Sequence, residues 1–250
     1  MDEVTAALMS DDPETALEAL QVSGKLEKLL PEVQEMVGFG GLDEGHKDLW
    51  GHVKAVVART PREPLLRWAA LFHDVGKVDC YARIDGKVTF HGHEAESAKL
   101  FRKAMDRLRF LSREETERVR FLVRNLGYVE SYEKEWTDSA VRRLMRDVGM
   151  GVLGDLVRLS KADVTSKHLS KREAVKVRMD ELWTRANVLE AVDATPPALP
   201  KGLGDAIAAE LGIRPGPELG RVMSGLKAMV EAGELPRGAE FSVYLAKLKE

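Results

Sequence analysis

The sequence predicts an all-α protein with one short β-hairpin. Three observations carry that prediction: repeated helix-start signals ahead of apolar runs, a single Asp-Gly turn between two short β-prone segments, and one proline-rich break near residue 195. Asp12 and Pro13 read as an N-cap followed by proline at the first helical position, and Gly24 reads as the stop of that helix. Thr60-Pro61-Arg62-Glu63 combines an N-cap, an N1 proline and a capping-box glutamate, predicting a helix over 61–72. Its Leu65, Leu66, Trp68, Ala69, Leu71 and Phe72 form a face dense enough to be buried. Ser112 with Glu115 is a second capping box, opening a helix through Val119, Phe121, Leu122 and Val123. Between these helices, Tyr81–Ile84, Asp85-Gly86 and Lys87–Phe90 read as a hairpin, because Asp-Gly supplies the positive φ angles of a tight turn. Thr195-Pro-Pro-Ala-Leu-Pro200 reads as a linker, and Pro215-Gly-Pro217 introduces a helix from about Glu218 to Ala232. The expected organisation is a helical segment over 1–40, a main domain over 41–194, and a linker with a helical tail over 195–250.

Composition narrows the class. The 250 residues are 44% hydrophobic and 32% charged, enough to bury a core and present a charged surface. No run approaches the roughly 18 apolar residues of a membrane helix, and the acidic start MDEVTAALMSDDPE lacks a basic-then-apolar signal pattern. Cys80 is the single cysteine, which excludes an internal disulfide framework and leads us to expect a cytoplasmic protein with no membrane partner. A net charge of −3 leaves nucleic-acid binding open, since a local basic stripe acts inside a neutral chain.

The chemistry-bearing residues are concentrated. Five of six histidines, His46, His52, His73, His91 and His93, fall between positions 46 and 93. The pair His73-Asp74 follows the apolar helix and precedes Gly76, at the edge of a core where a buried site meets solvent. Imidazole nitrogen with carboxylate oxygen suits a divalent transition metal (Mn, Fe, Co, Ni or Zn) better than Mg or Ca. Asp163, late on another helix within Lys161-Ala-Asp-Val-Thr165, is the candidate for the missing ligand.

His52, then His73-Asp74-Val-Gly-Lys77, then Asp163 resembles the H…HD…D order of the histidine–aspartate (HD) superfamily. More specifically, the chain resembles the C-terminal half of bacterial tRNA nucleotidyltransferases that carry an HD domain, the CCA-adding and poly(A) polymerase-like enzymes. Leu17-Glu-Ala-Leu20 through Gly24-Lys-Leu and Leu30-Pro31-Glu32 resemble the family's neck. His46-Lys-Asp-Leu-Trp-Gly-His52, Phe90-His-Gly-His-Glu94, Trp136-Thr-Asp-Ser-Ala-Val-Arg-Arg143 and Leu211-Gly-Ile-Arg-Pro-Gly-Pro-Glu-Leu-Gly220 are similar to its later motifs. The resemblance implies an HD-domain helical core with a neck and tail, and a metal held by His52, His73, Asp74 and Asp163, with His93 as a further ligand. It implies a phosphohydrolase acting on nucleotide or RNA-terminal phosphoesters, such as 2′,3′-cyclic phosphates, 2′-phosphates or nucleoside monophosphates, with tRNA contacts in neck and tail.

Two departures qualify that implication. No Gly-Ser strand-turn followed by an Asp-x-Asp pair is found, so nucleotide addition is not expected of the chain by itself. The family's L-V-x-N-H stretch reads Leu122-Val-Arg-Asn125-Leu126 here, so Leu126, or Asn125 after a one-residue slip, stands in the ligand position; leucine cannot ligate a metal and an asparagine oxygen is a weak substitute, which favours one tightly held ion. Asp74 is the expected general base, Lys77 and Arg143 the expected catalytic cations, and His46, Lys77, Arg83, Arg142 and Arg143 the expected substrate contacts. Only one of Arg142 and Arg143 can face the site from a helix, since successive residues differ by about 100°. Two other classes stay open: a non-catalytic tRNA-binding or assembly subunit of a split nucleotidyltransferase, and an HD-type di-iron oxygenase.

Overall fold

A computed structural model of the chain describes residues 2–40, 48–165 and 168–249. It is all-α, with fourteen helices and one two-stranded hairpin among the described residues. Four short helices open the chain: α1 (Glu3–Leu8), α2 (Pro13–Val22), α3 (Lys25–Leu29) and α4 (Pro31–Gln34). The central helices are α5 (Leu49–Arg59) and α6 (Pro64–Phe72), a 3-10 turn (Val75–Lys77), then α7 (His93–Leu108), α8 (Arg113–Glu130), α9 (Asp138–Val148) and α10 (Met150–Asp163). The strands β1 (Ala82–Ile84) and β2 (Lys87–Thr89) lie between the 3-10 turn and α7. The long α11 (Leu169–Ala194) is followed by α12 (Leu203–Leu211), α13 (Pro217–Glu231) and α14 (Phe241–Lys247). No described helix is long and apolar enough to cross a membrane.

The chain divides into two compact units, Met1–Asn187 and Val188–Glu250. In the second, Leu203, Ile207, Leu226, Val230 and Tyr244 form a small core. The Tyr244 hydroxyl donates to the Pro236 carbonyl at 2.6 Å and accepts from the Ala239 N–H at 3.0 Å, so this buried phenol is satisfied.

In the first unit α6 is the innermost element, with Leu66 through Phe72 buried without interruption. Trp68, Phe72 and Phe101 pack as tilted and edge-on rings, with Phe72 and Phe101 centroids 5.1 Å apart. Two polar groups on α6 tie the N-terminal helices to it. The buried Arg67 guanidinium donates to the carbonyls of Thr60, Leu8 and Ser10, and Trp68 Nε1 donates to Thr5 Oγ1 at 3.1 Å. Such a cation is tolerated inside because three carbonyls accept from its Nε and Nη1.

The start of α6 corrects the sequence reading. The helix begins at Pro64, with Glu63 as N-cap, and Thr60 instead ends α5, its hydroxyl bonded to the Val56 carbonyl. Glu63 precedes a proline, whose Cδ disfavours the helical region for that residue, and it is extended at φ −124°, ψ 127°. A capping box on Thr60 and Glu63 is therefore sterically closed. The Ser112–Glu115 capping box forms as expected. So does the hairpin, with Ile84 opposite Lys87 and positive φ at Asp85 and Gly86.

Gly76 sets the distance between the 3-10 turn and α7. A Cβ there would lie 2.4 Å from the His93 carbonyl oxygen and 2.6 Å from the Ser97 nitrogen. The Gly76 N–H donates to the buried Ser97 hydroxyl at 2.8 Å. Ser97→Ala should therefore leave a buried N–H unsatisfied and destabilise the protein by about 1–3 kcal/mol, measured from urea unfolding midpoints. An unchanged midpoint would show that this contact does not hold α7 in place.

Candidate metal centre

Four side chains converge where α5, the end of α6 and the end of α10 meet. His52 lies in α5, His73 is the C-cap of α6, Asp74 precedes the 3-10 turn, and Asp163 is the last residue of α10. The nitrogens His52 Nε2 and His73 Nε2 each lie 3.0 Å from Asp163 Oδ1. Asp74 Oδ2 lies 3.4 Å from His52 Nε2 and 3.3 Å from His73 Nε2. Donors at the usual bond length of about 2.1 Å from a shared ion stand roughly 3.0 Å apart in an octahedron and 3.4 Å apart in a tetrahedron, which is the spacing seen here.

The orientation of the donors fits an ion better than direct pairing. His73 Nε2 and Asp163 Oδ1 are buried and neither makes a hydrogen bond, although they approach closely. His73 Nδ1 is 2.7 Å from the Ala70 carbonyl, so the Nδ1 proton is fixed there and the Nε2 lone pair is turned inward. His52 Nδ1 lies 2.8 Å from Thr165 Oγ1, which orients its ring in the same way. His52, His73 and Asp163 each offer one ligand atom within 4.8 Å of the other two. The two-nitrogen, two-oxygen set suits a divalent first-row transition ion.

Electrostatics point to the same need for positive charge. Burial pushes the Asp74 carboxyl up, but His73, His52 and His93 outweigh it and hold the group well below the carboxylate range. Burial likewise opposes ionisation of Asp163, and His73 and His52 again prevail. The imidazoles respond in the opposite sense. Burial lowers His73, yet Asp74 and Asp163 raise it well above its ordinary value, and His52 is raised by Asp163 and Asp74 against its own burial. Protons on the rings thus stand in for a cation, and a metal must displace them.

A cavity of about 120 Å³ adjoins these ligands. From α8 it is lined by Val123, Leu126, Gly127 and Glu130, the i, i+3, i+4, i+7 spacing of one helix face. Leu126 is 4% exposed and closes one wall. Asn125 is turned away, its amide donating to the Phe121 carbonyl of its own helix at 2.8 Å. Glu130, one turn beyond Leu126, went unnoticed in the sequence. Its signal was an acidic residue continuing that apolar and small stripe. Burial, then the charges of Asp163 and Asp74, raise its carboxyl to about 8. Glu94 also lines the cavity, its carboxylate so near Gly127 that a Cβ there would lie 2.6 Å from it.

The other expected residues are spread more widely. His93 Nδ1 lies 3.0 Å from the Phe90 carbonyl, and its Nε2 is 3.5 Å from Asp74 Oδ1, so it reaches the far oxygen of that carboxylate. Lys77 Nζ bonds Asp74 Oδ2 at 2.6 Å. Arg83 is exposed on β1, Arg142 is half-buried and Arg143 exposed on α9, and the cavity lining includes none of the three. His46 lies outside the described residues.

Comparison with known proteins agrees with this geometry. The HD domain family matches residues 46–155. The A-adding tRNA nucleotidyltransferase of Deinococcus radiodurans is 30% identical, covering 100% of this chain and 58% of the relative. The CC-adding tRNA nucleotidyltransferase of Thermus thermophilus is 34% identical, covering 92% of this chain and 51% of the relative. The multifunctional CCA protein of Legionella pneumophila strain Paris is 32% identical over 41% of this chain and 26% of its own length. The chain spans about half the length of the first two relatives, matches the HD domain family over residues 46–155, and resembles these nucleotidyltransferases over that half.

Two expectations follow. Elemental analysis after mild purification should find close to one tightly bound transition metal per chain, because the α8 wall of the cavity presents Leu126 where the sequence resemblance implies a ligand of a second site. Two tightly held equivalents would contradict this. The second concerns Glu130 in metal-free protein. Its pKa is raised on folding from 4.5 to about 8, so its contribution is favourable below 4.5 and is lost as pH rises toward 8. Glu130→Gln removes that penalty, so its stability relative to wild type should grow from pH 4.5 to about 8 and then level off. A difference independent of pH in urea titrations would refute the assignment.

Proposed function

We propose that the chain is a metal-dependent phosphohydrolase acting on nucleotide or RNA-terminal phosphoesters, with His52, His73, Asp74 and Asp163 holding the metal. The observation that carries this reading is the pair of buried, unbonded donors, His73 Nε2 and Asp163 Oδ1, set beside two further ligands. An ion bound there supplies a lowered pKa for its water and polarisation of a phosphoryl oxygen. The matched HD domain and the tRNA nucleotidyltransferase relatives support phosphoester chemistry on nucleotides or RNA, with tRNA as a partner, over a non-catalytic role.

The side chains divide the work. Ala70 and Thr165 fix the two imidazoles through their Nδ1 atoms, so both rings present Nε2 without rearrangement. Asp74 stays ionised beside His73, His52 and Lys77, so it would help hold the metal, and its oxygen facing His93 would be free to accept a hydrogen bond from water. Lys77 neutralises Asp74 and stands at the cavity mouth, where it meets an incoming phosphate. Glu130 carries a proton at neutral pH and faces the same cavity, so it is a donor for a departing alkoxide.

Hydrolysis should be assayed on 2′,3′-cyclic nucleotides, 2′-phosphates and nucleoside monophosphates with Mn²⁺, Ni²⁺, Co²⁺, Zn²⁺ and Mg²⁺ in turn. Asp74→Ala should abolish turnover while leaving the circular dichroism spectrum unchanged. Lys77→Ala should retain metal and lose about 10- to 100-fold in rate, the usual cost of removing a group that orients a ligand. Wild-type turnover in Asp74→Ala, or full activity in a chelator, would remove the basis of this reading.

A further inference from the structure

The metal cavity adjoins a larger depression of about 490 Å³. Lys77, His93 and Glu94 line both, so a ligand in one touches the wall of the other. The outer part is formed by Val88, Thr89, Phe90 and His91 at the end of the hairpin. None of these residues is required by the metal site except through the Phe90 carbonyl, which holds His93 Nδ1.

Two features describe what this surface fits. First, it is flat and aromatic at one side. Phe90 is half-buried against Tyr81, with ring centroids 6.1 Å apart, the Lys77 ammonium lies 5.7 Å from its ring centre, and the neighbouring His91 is exposed. Second, it offers an unpaired strand edge. Ile84 and Lys87 flank the two-residue Asp85-Gly86 turn and so form the hydrogen-bonded pair that closes the hairpin. Pairing alternates along an antiparallel ladder, so Arg83 and Val88 form the next, non-bonded pair. The Val88 N–H and C=O therefore point to the outer edge of β2, where no other strand pairs among the described residues.

The geometry points to a nucleoside-binding subsite: the base lies on Phe90 and against the free edge of Val88, and its phosphoester reaches past Lys77 to the metal cavity. Aromatic stacking with hydrogen bonding to a base edge is the usual recognition of an unstacked nucleotide, and it accepts any base because every base has a π-face and adjacent donor and acceptor groups. An aliphatic phosphate would use neither feature. This inference rests on the phosphoester reading of the metal centre and adds to it the part of the substrate that is not reacting. It makes Phe90 a specificity-determining residue.

The test is calorimetric binding of AMP and of ribose 5-phosphate, which lacks the base, to the full chain. AMP should bind at least about tenfold more tightly, the scale of one base–aromatic stack. Phe90→Ala should collapse that ratio toward one, whereas Phe90→Trp should keep it. The Trp variant guards against a general loss of the hairpin, and the main-chain contact to His93 survives both changes. Equal affinities for the two ligands, no measurable binding of AMP, or a ratio that survives in Phe90→Ala would overturn the subsite. The outcome is separable from the hydrolase reading. A base preference that depends on Phe90 upholds the subsite even if no phosphoester is cleaved. Cleavage that is indifferent to the base, with equal affinities, leaves the metal reading intact and removes the subsite.

Discussion

Two carboxylates and two imidazoles are gathered in the dry end of a helical core, and the rest of the molecule is arranged around keeping them there. Asp74 and His73 are almost fully buried, at 4% and 3% side-chain exposure. Moving one ionised carboxylate into such a place costs several kcal/mol unless it is compensated. The compensation is local and mutual: each carboxylate holds the rings charged, each ring holds the carboxylates ionised, and Lys77 closes the set. A divalent ion bound here would replace those protons with a fixed charge of the same sign. Metal binding and protonation would then compete for one site, with affinity rising with pH.

Holding the set in register falls to backbone features outside it. The Ala70 carbonyl belongs to α6, Thr165 follows α10, and Gly76 brings the start of α7 against the 3-10 turn. The three elements are in turn anchored from elsewhere. Arg67 and Trp68 tie α6 to the N-terminal helices, and Arg59 donates to the Val164 carbonyl just beyond Asp163. That N-terminal segment is thus part of the support of the site, because it packs on the helix that carries His73 and Asp74.

The wall facing the ligands is built by α8, and here one stripe mixes packing with chemistry. Val123 and Leu126 are buried apolar residues, Gly127 makes room for the Glu94 carboxylate, and Glu130 brings a protonated carboxyl. Leucine in place of an imidazole removes a donor and makes this side of the cavity drier, which strengthens every charge interaction left inside it. The hairpin continues the wall outward through Phe90 and His93, so the reacting end and the outer depression share one strand-to-helix connection.

The sequence by itself determined the fold class, the starts of α2, α8 and α13 and the hairpin, and it singled out His52, His73, Asp74 and Asp163 as candidate ligands. Those features rest on short-range chemistry: Ser112 capping Glu115, Asp85-Gly86 taking positive φ, and His73-Asp74 at the end of an apolar run. Where a neighbour intervened the local signal failed, as Pro64 forced Glu63 to be extended and moved the start of α6. Tertiary structure alone decided the rest. Glu130 looks like an ordinary helix-end acid in sequence, and only its half-buried place beside Asp163 and Asp74 raises its carboxyl to about 8. Arg142 and Arg143 show the converse, since a sequence pattern cannot say which helix face meets the cavity. The lone pairs of His52 and His73 are aimed by Thr165 and by a backbone carbonyl. The Ala70 contact is local to the end of α6, but the Thr165 contact depends on a distance between segments that no local pattern encodes.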